Sequence, residues 1–138
     1  SNINILIAKS LIKKGYKKIG VLGLSYKGNL KVDILSPVIP FVKHLKSKGI
    51  NVSLFDPYYS NKEIGKIVGV KSFKYPQGLS KFDCIVVSID HKEFKTNIKN
   101  ITKYLTNCKY ILDNMKVWEK INFPKRITYK ISGEKNWI

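Results

Sequence analysis

The stretch KKIGVLGLSYKGNLKVDILSP, residues 17–37, contains the transition that decides the fold. Its first eight residues predict a short buried strand that runs into a glycine turn. A loop follows from Ser25 to Leu35. Ser36 and Pro37 then predict an N-cap and the first turn of a helix, PVIPFVKHLKSK, that ends at Gly49. A strand, a glycine loop and a helix in this order are the beginning of an α/β unit.

Three further apolar runs predict the rest of the sheet. NVSLFDP supplies a second strand that ends at Asp56, because Pro57 cannot continue it. FDCIVVSI, from Phe82, predicts a buried strand, and a helical stretch from about His91 to Leu105 separates it from another strand, KYILDN. RITYKIS alternates apolar and polar residues and predicts a short edge strand. We therefore predict an α/β fold with a doubly wound, Rossmann-like parallel sheet and helices on both faces.

One helix is predicted to precede the sheet. Apolar residues between Asn2 and Lys14 fall at helical spacing, and Gly15 is a suitable stop. With 138 residues, 43% of them hydrophobic, the chain has the size and apolar content of one compact domain. Because it opens at Ser1 without an initiator Met, we expect it to be a piece of a longer polypeptide.

The chain is strongly basic. Its 26 Lys plus Arg residues against 9 Asp plus Glu give a formal net charge of +17, which attracts phosphates of any kind. The basic residues are nearly all lysine and are spread along the chain, whereas dedicated nucleic-acid readers carry arginine clusters or a reading motif. We expect nucleic acid to bind only non-specifically, at low salt. No apolar run has the length of a membrane span and no signal-peptide layout is present, which predicts a cytoplasmic protein.

The sequence predicts no metal site and no catalytic residue. Cys84 and Cys108 stand in or beside apolar runs without CxxC spacing, which is typical of buried core residues. His44 and His91 have no second ligand and no carboxylate in local register.

The glycines after the first strand do not establish a dinucleotide site. Gly20, Gly23 and Gly28 lack the G-x-G-x-x-G spacing that brings a pyrophosphate against a helix N-terminus. Asp56 lies further from this turn than a ribose-binding acid would. Its neighbour Pro57 favours a turn-forming Asp-Pro pair instead.

The predicted fold nevertheless locates a ligand. Open parallel sheets bind ligands outside the carboxyl ends of their strands, where loops 25–35, 56–60 and 114–118 would meet. Lys27 in the first loop and Lys116 in the third could converge on one phosphate-sized space. Taken alone, each lysine is more typical of a solvated surface charge.

Two aromatic residues beside these lysines leave two interpretations open. Tyr26 and Trp118 could each offer a flat face to a nucleobase, or could each fill the core next to a strand end.

Several motifs together resemble a known family. The run GVLGLSYKGNLKVDILSP, a helix and then NVSLFDPY resemble the opening of the C-terminal domain of the UDP-glucose and GDP-mannose dehydrogenase family. FDCIVVSIDHKEF and YILDNMKVW resemble that family's later strand with its helix start and its late strand-and-loop motif. The order and spacing of the motifs match over nearly the whole chain.

The resemblance implies an enzyme that oxidises the C6 hydroxyl of a UDP-sugar to a carboxylate in two NAD-dependent steps through a cysteine thiohemiacetal. It implies that NAD is bound mainly by an N-terminal domain absent from this chain, and that a central helix carries a homodimer contact. Residues 1–15 would be the end of the connecting helical region and residues 16–138 the UDP-binding domain. Neither cysteine stands in the family's catalytic context, so we expect no catalysis by this chain alone.

The resemblance also assigns residues to the substrate. Lys27 matches the family lysine that contacts the nucleotide, and Tyr26 takes the aromatic position beside it. With Lys116 and Trp118 from the late motif, these residues form the predicted UDP-sugar site.

Two departures from the family pattern weaken the expectation that this domain contacts NAD. Ile34 and Leu35 stand where the family has Arg-Glu, and Met115 stands where it has arginine, with Lys116 one place later. Lysine would have to replace the planar guanidinium of arginine, which can form two parallel hydrogen bonds to one anion. A degenerate, non-catalytic nucleotide-binding or scaffold domain is therefore an alternative. A basic nucleic-acid-binding domain is a second alternative, which only the net charge supports.

Overall fold

The computed structural model describes residues 2–132, apart from the side chains of residues 2 and 3. Ser1, in the predicted connecting segment 1–15, and residues 133–138, in the predicted domain 16–138, lie outside the described residues. The described residues form three α-helices, five strands and three 3₁₀ segments, in this order: α1 (Asn2–Lys13), β1 (Lys18–Leu22), α2 (Val38–Ser47), β2 (Asn51–Phe55), α3 (Asn61–Val68), a 3₁₀ segment (Gln77–Lys81), β3 (Cys84–Val87), two 3₁₀ segments (Lys92–Phe94 and Ile98–Tyr104), β4 (Tyr110–Asp113) and β5 (Thr128–Ile131).

The five strands form one parallel sheet in the order β2-β1-β3-β4-β5. Val21 of β1 lies in register with Leu54 of β2 on one side and with Val86 of β3 on the other. The chain therefore moves outward from β1 to β2 and returns to continue on the other side of β1. This is the predicted doubly wound topology, and it makes the β1/β3 boundary the switch point where such sheets bind ligands.

Alternate strand residues face two separate cores, because successive side chains of a strand point to opposite faces. Ile19 and Val21 pack into the first core, which α1, α2 and α3 cover. Leu22 and Ile85 pack into the second, which the 3₁₀ segments and the chain around Trp118 cover. Both faces of β1 and β3 are thus buried, which explains why the sequences of these strands are almost entirely apolar.

Two predicted helical boundaries need correction. The single helix expected from His91 to Leu105 consists of two 3₁₀ segments, because Asn97 between them adopts a left-handed conformation with φ 56°. Helix α2 begins at Val38 rather than at Pro37, and Ser36 does not cap it. Its hydroxyl instead donates to the Leu24 carbonyl at 2.7 Å, which ties the start of α2 to the turn after β1.

Helix α3 is an element that the apolar pattern missed. Its N-terminus carries a capping box, in which the Ser60 hydroxyl accepts from the Glu63 N–H and the Glu63 carboxylate accepts from the Ser60 N–H. The motif S-x-x-E was therefore the available signal.

None of the helices in residues 2–132 is both long enough and apolar enough to cross a membrane.

Gly20 offers a test of the packing between β1 and the second core. A β-carbon at Gly20 would lie 2.4 Å from the Phe82 ring, so Gly20→Ala must displace a buried side chain. We expect it to lower the free energy of unfolding by about 1–3 kcal/mol, measured by urea denaturation. Gly65→Ala, inside α3, is the matched control. Its nearest neighbour would be 4.0 Å away, and it should stabilise by about 0.5–1 kcal/mol. Equal effects of the two substitutions would contradict this packing.

Candidate functional site

A cavity of about 390 Å³ opens at the carboxyl ends of β1, β3 and β4. It lies at the switch point that the strand order defines. The lining residues come from the loop after β1, the start of α2, the end of β3 and the loop after β4: Ser25, Tyr26, Lys27, Ser36, Pro37, Val38, Ser88, Ile89, Asn114 and Met115. A single small space is therefore shared by four segments that are distant in sequence.

The cavity contains two of the four predicted substrate residues. Tyr26 is 50% exposed and lies beside the exposed Lys27, and both line the cavity. Lys116 is exposed with φ 57° and follows the lining residue Met115, but does not itself line the cavity.

Trp118 is fully buried in the second core. Its indole N–H donates to the Phe94 carbonyl at 2.9 Å, so the ring has no face open to a ligand. Its backbone N–H and that of Val117 donate to the carboxylate of Asp113, at 2.8 and 3.1 Å. Trp118 thus anchors the loop after β4 instead of lining the cavity.

The loop after β1 is closed by its own hydrogen bonds. The Ser25 hydroxyl donates to the Leu30 carbonyl at 2.6 Å and accepts from the Val32 N–H at 3.2 Å. The Tyr26 N–H donates to the Val32 carbonyl at 2.5 Å. Tyr26 and Lys27 therefore project from a loop whose backbone is hydrogen-bonded within the loop itself.

The expectation that the loop after β2 also lines the cavity is not met. Asp56 of that loop is fully buried, and its Oδ2 accepts from the N–H groups of Leu24 and Ser25 at 2.8 and 3.1 Å. Its Oδ1 accepts from the Tyr58 N–H at 2.9 Å, which is the turn bond expected of an Asp-Pro pair. The loop after β3 lines the cavity instead of the loop after β2, with Ser88 and Ile89.

The cavity favours an anion. None of its lining residues carries a carboxylate, and Lys27 supplies an ammonium group. The first turn of α2 also lines it, and the dipole of a helix N-terminus attracts negative charge. Pro37 and Pro40 carry no N–H and the Ile39 N–H donates to the Ser36 carbonyl, so this attraction comes from the dipole and not from a row of free N–H groups.

Comparison with known proteins is consistent with this geometry. Residues 20–120 match the family model for the UDP-binding domain of the UDP-glucose/GDP-mannose dehydrogenase family. The chain belongs to this family. A UDP-N-acetyl-D-mannosamine dehydrogenase of Methanocaldococcus jannaschii is 32% identical, with 93% of this chain and 30% of that protein covered. One of Methanococcus aeolicus is 28% identical, with 94% and 31% covered.

Solved structures of the family share the fold. The UDP-D-ManNAc dehydrogenase of Pyrococcus horikoshii matches with a TM-score of 0.65 and 27% identity, over 91% of this chain and 28% of that one. The UDP-N-acetyl-mannosamine dehydrogenase Cap5O of Staphylococcus aureus matches with a TM-score of 0.67 and 23% identity, over 91% and 29%. The chain thus spans about 30% of the length of the relatives it matches.

The loop after β1 carries exposed apolar side chains at the two positions where the resemblance predicts Arg-Glu. Ile34 is 75% exposed, and Leu35 is 88% exposed and has φ 59°, an uncommon conformation for a bulky residue. Seven large hydrophobic residues are exposed in the described part of the chain, and six of them lie on the loops after β1 and β4: Tyr26, Leu30, Val32, Ile34, Leu35 and Met115. We call these six residues the apolar rim.

The positions of metal-ligating side chains and thiols are defined within residues 2–132. No cluster of three or more metal-ligating side chains occurs there. Burial raises the pKa of the Cys84 thiol well above its usual value and that of Cys108 to about 12. Both cysteines are core residues, as predicted, and neither lines the cavity.

Thiol reactivity tests this placement directly. Because only the thiolate is nucleophilic, burial and the raised pKa should make both thiols react with Ellman's reagent far more slowly in the folded protein than in urea. In urea two thiols per chain should react rapidly. Rapid reaction of either cysteine under native conditions would contradict the described core.

Proposed function

We propose that the cavity binds the uridine diphosphate part of a nucleotide sugar. One observation carries the proposal: Lys27, which the sequence motif predicts to be the nucleotide-contacting lysine, lines a cavity at the switch point of the sheet whose lining residues carry no carboxylate. The N-terminus of α2 adds a second attraction for the diphosphate. Relatives whose names specify UDP-sugars support the choice of nucleotide.

The four predicted substrate residues take different parts in this proposal. Lys27 bonds the diphosphate or the uracil carbonyls, and the half-exposed ring of Tyr26 lies against the base. Lys116, exposed next to the cavity wall at Met115, supplies a second positive charge from the rim. Trp118 acts indirectly by anchoring the loop that carries Met115 and Lys116.

We further propose that this domain completes the active site of an NAD-dependent UDP-sugar 6-dehydrogenase whose chemistry belongs to another domain. The apolar rim supports this proposal, because six exposed large apolar side chains on two loops that share one cavity are typical of a surface that contacts other protein. NAD and the catalytic thiol would then be held mainly by the domain that covers the rim, and this chain would be inactive alone.

Residues 1–15 are proposed to be the end of the helical segment that connects the two domains, with residues 16–138 as the UDP-binding domain. Leu6 on α1 is the one exposed large hydrophobic residue of the described chain outside the apolar rim, at 62% exposure. Its exposure supports a contact between α1 and the rest of the enzyme, which we propose to be a homodimer in the cytoplasm. Neither a membrane nor a specific nucleic acid is part of this proposal.

A non-catalytic nucleotide-binding domain is the second candidate, favoured by Ile34 and Leu35 at the family's Arg-Glu position. Both candidates have the same nucleotide site. They differ in whether the full-length protein oxidises a UDP-sugar. Oxidation of a UDP-sugar by the full-length protein, followed as NADH formation, would exclude the second candidate. The chain by itself should form no NADH under either.

Lys27 provides the test of the nucleotide site. A hydrogen bond to a charged group contributes roughly 1.5–3 kcal/mol, so Lys27→Ala should raise the dissociation constant for UDP by about 10- to 100-fold. Calorimetric titration at physiological salt measures the change.

Lys48→Ala is the matched control, because Lys48 is exposed at the far end of α2 and does not line the cavity. It changes only the long-range field, which salt screens within about 8 Å. Small and equal losses of affinity in both variants would mean that UDP binds to diffuse charge and not to this cavity.

The charge of +17 generates a separate expectation for nucleic acid. Binding of single-stranded DNA, measured by fluorescence anisotropy, should weaken steeply from low to physiological salt and should not depend on sequence. A sequence-selective complex at physiological salt would contradict the proposed function.

A further inference from the structure

A histidine and a carboxylate meet in the interior, next to the loop that carries Tyr26 and Lys27. His91 and Asp56 are both fully buried, and His91 Nε2 lies 2.9 Å from Asp56 Oδ2. They follow β3 and β2 and are 35 residues apart in the chain. Neither lines the cavity, so neither contacts a ligand there.

The pair holds the loop after β1 at two points. Asp56 Oδ2 accepts from the N–H groups of Leu24 and Ser25, where the loop begins. His91 Nδ1 accepts from the Asn29 N–H at 2.9 Å, where the loop turns. Tyr26, Lys27 and Gly28 are the residues between these two points.

The hydrogen bonds define one form of the imidazole. Because the Asn29 N–H can only donate, Nδ1 carries no proton, and the proton on Nε2 faces Asp56. A second tether adds to this one, since Asn29 Oδ1 accepts from the Lys92 N–H at 2.7 Å. Asn29 itself is in the left-handed region, with φ 61°. Each nitrogen of the His91 ring therefore has a fixed partner, the Asn29 N–H at Nδ1 and the Asp56 carboxylate at Nε2.

A buried polar pair is a poor way to gain stability, because apolar residues of similar volume often stabilise as well or better. When all its polar atoms are hydrogen-bonded, such a pair instead makes one local conformation more favourable than the alternative conformations. At this place the arrangement concerns the loop that carries Tyr26 and Lys27.

We propose that His91 and Asp56 are positioning residues that hold Tyr26 and Lys27 in the arrangement that binds the nucleotide. The inference rests on the proposed function of the cavity. Ordering a flexible loop upon binding costs affinity, whereas a loop that is already ordered does not incur that cost. Release of the tether should therefore weaken UDP binding without removing any group that touches UDP.

His91→Phe and His91→Gln form the test pair. Phenylalanine retains a ring but loses both hydrogen bonds, whereas the glutamine amide can still donate to Asp56 and accept from Asn29. Ile111→Val, a buried change in β4, controls for a general loss of stability. Amide hydrogen exchange by NMR reports on the loop, and calorimetric titration with UDP reports on binding.

In His91→Phe we expect the Asn29 amide to exchange at least about tenfold faster and UDP to bind about tenfold more weakly. His91→Gln should recover most of both properties, and Ile111→Val should change neither. Unchanged UDP affinity in a folded His91→Phe protein, or loss of affinity in Ile111→Val as well, would overturn the proposal.

His91→Leu serves if His91→Phe fails to fold, because its smaller aliphatic side chain fits the buried position more easily and also loses the hydrogen bonds to Asp56 and Asn29. It should weaken UDP binding about tenfold, and unchanged affinity would overturn the positioning role. Failure of the unmodified protein to bind UDP would overturn the proposed function itself. Binding that is equal in all variants would leave that function intact and reject only the positioning residues.

Discussion

The turn that follows β1 holds the carboxyl ends of three strands together. The Gly23 N–H donates to the Phe55 carbonyl at the end of β2 at 2.8 Å, and the Ser88 N–H after β3 donates to the Leu22 carbonyl at 2.9 Å. Gly23 has φ 108°, and a β-carbon on it would lie 2.4 Å from the Ile89 side chain. Glycine is therefore required both for the backbone conformation and for the close approach of the loop after β3.

This close junction determines where the cavity lies and which groups line it. The loop after β1 leaves the sheet directly after Gly23. Tyr26 and Lys27 of this loop line the space between the start of α2 and the loops after β3 and β4. The hydroxyls beside them bond to backbone groups, as Ser36 does to Leu24 and Ser88 does to Gly23. Within the cavity lining, Lys27 and the N-terminus of α2 remain for an anion, and a lysine is a point charge without the fixed geometry of arginine.

Local patterns were sufficient to predict much of the fold. Apolar runs located the strands, helical spacing located α1, and the cysteines proved to be core residues. The segment from His91 to Leu105 differed because its apolar spacing fits a helix, while Asn97 in the left-handed region divides it. Helix α3 was missed because its short polar sequence buries only Ile64 and Val68, although its capping box was visible in the sequence.

The candidate site was harder to predict, because long-range packing decides it. The predicted strand order indicated the carboxyl ends of the strands, and Tyr26 and Lys27 line the cavity there. Trp118 is taken into the core by its bond to Phe94, which no local pattern indicates. The contact of His91 with Asp56 depends on β1 lying between β2 and β3, so the sequence around each residue suggested no partner.

Chemical-shift mapping with UDP on the ¹⁵N-labelled chain tests the central claim, that one cavity at the switch point binds the nucleotide. The amides that shift should belong to residues 25–29, the start of α2, Ser88–Ile89 and Asn114–Met115, with saturation at physiological salt. Shifts scattered over exposed lysines throughout the chain, or concentrated at the opposite ends of the strands, would contradict the claim.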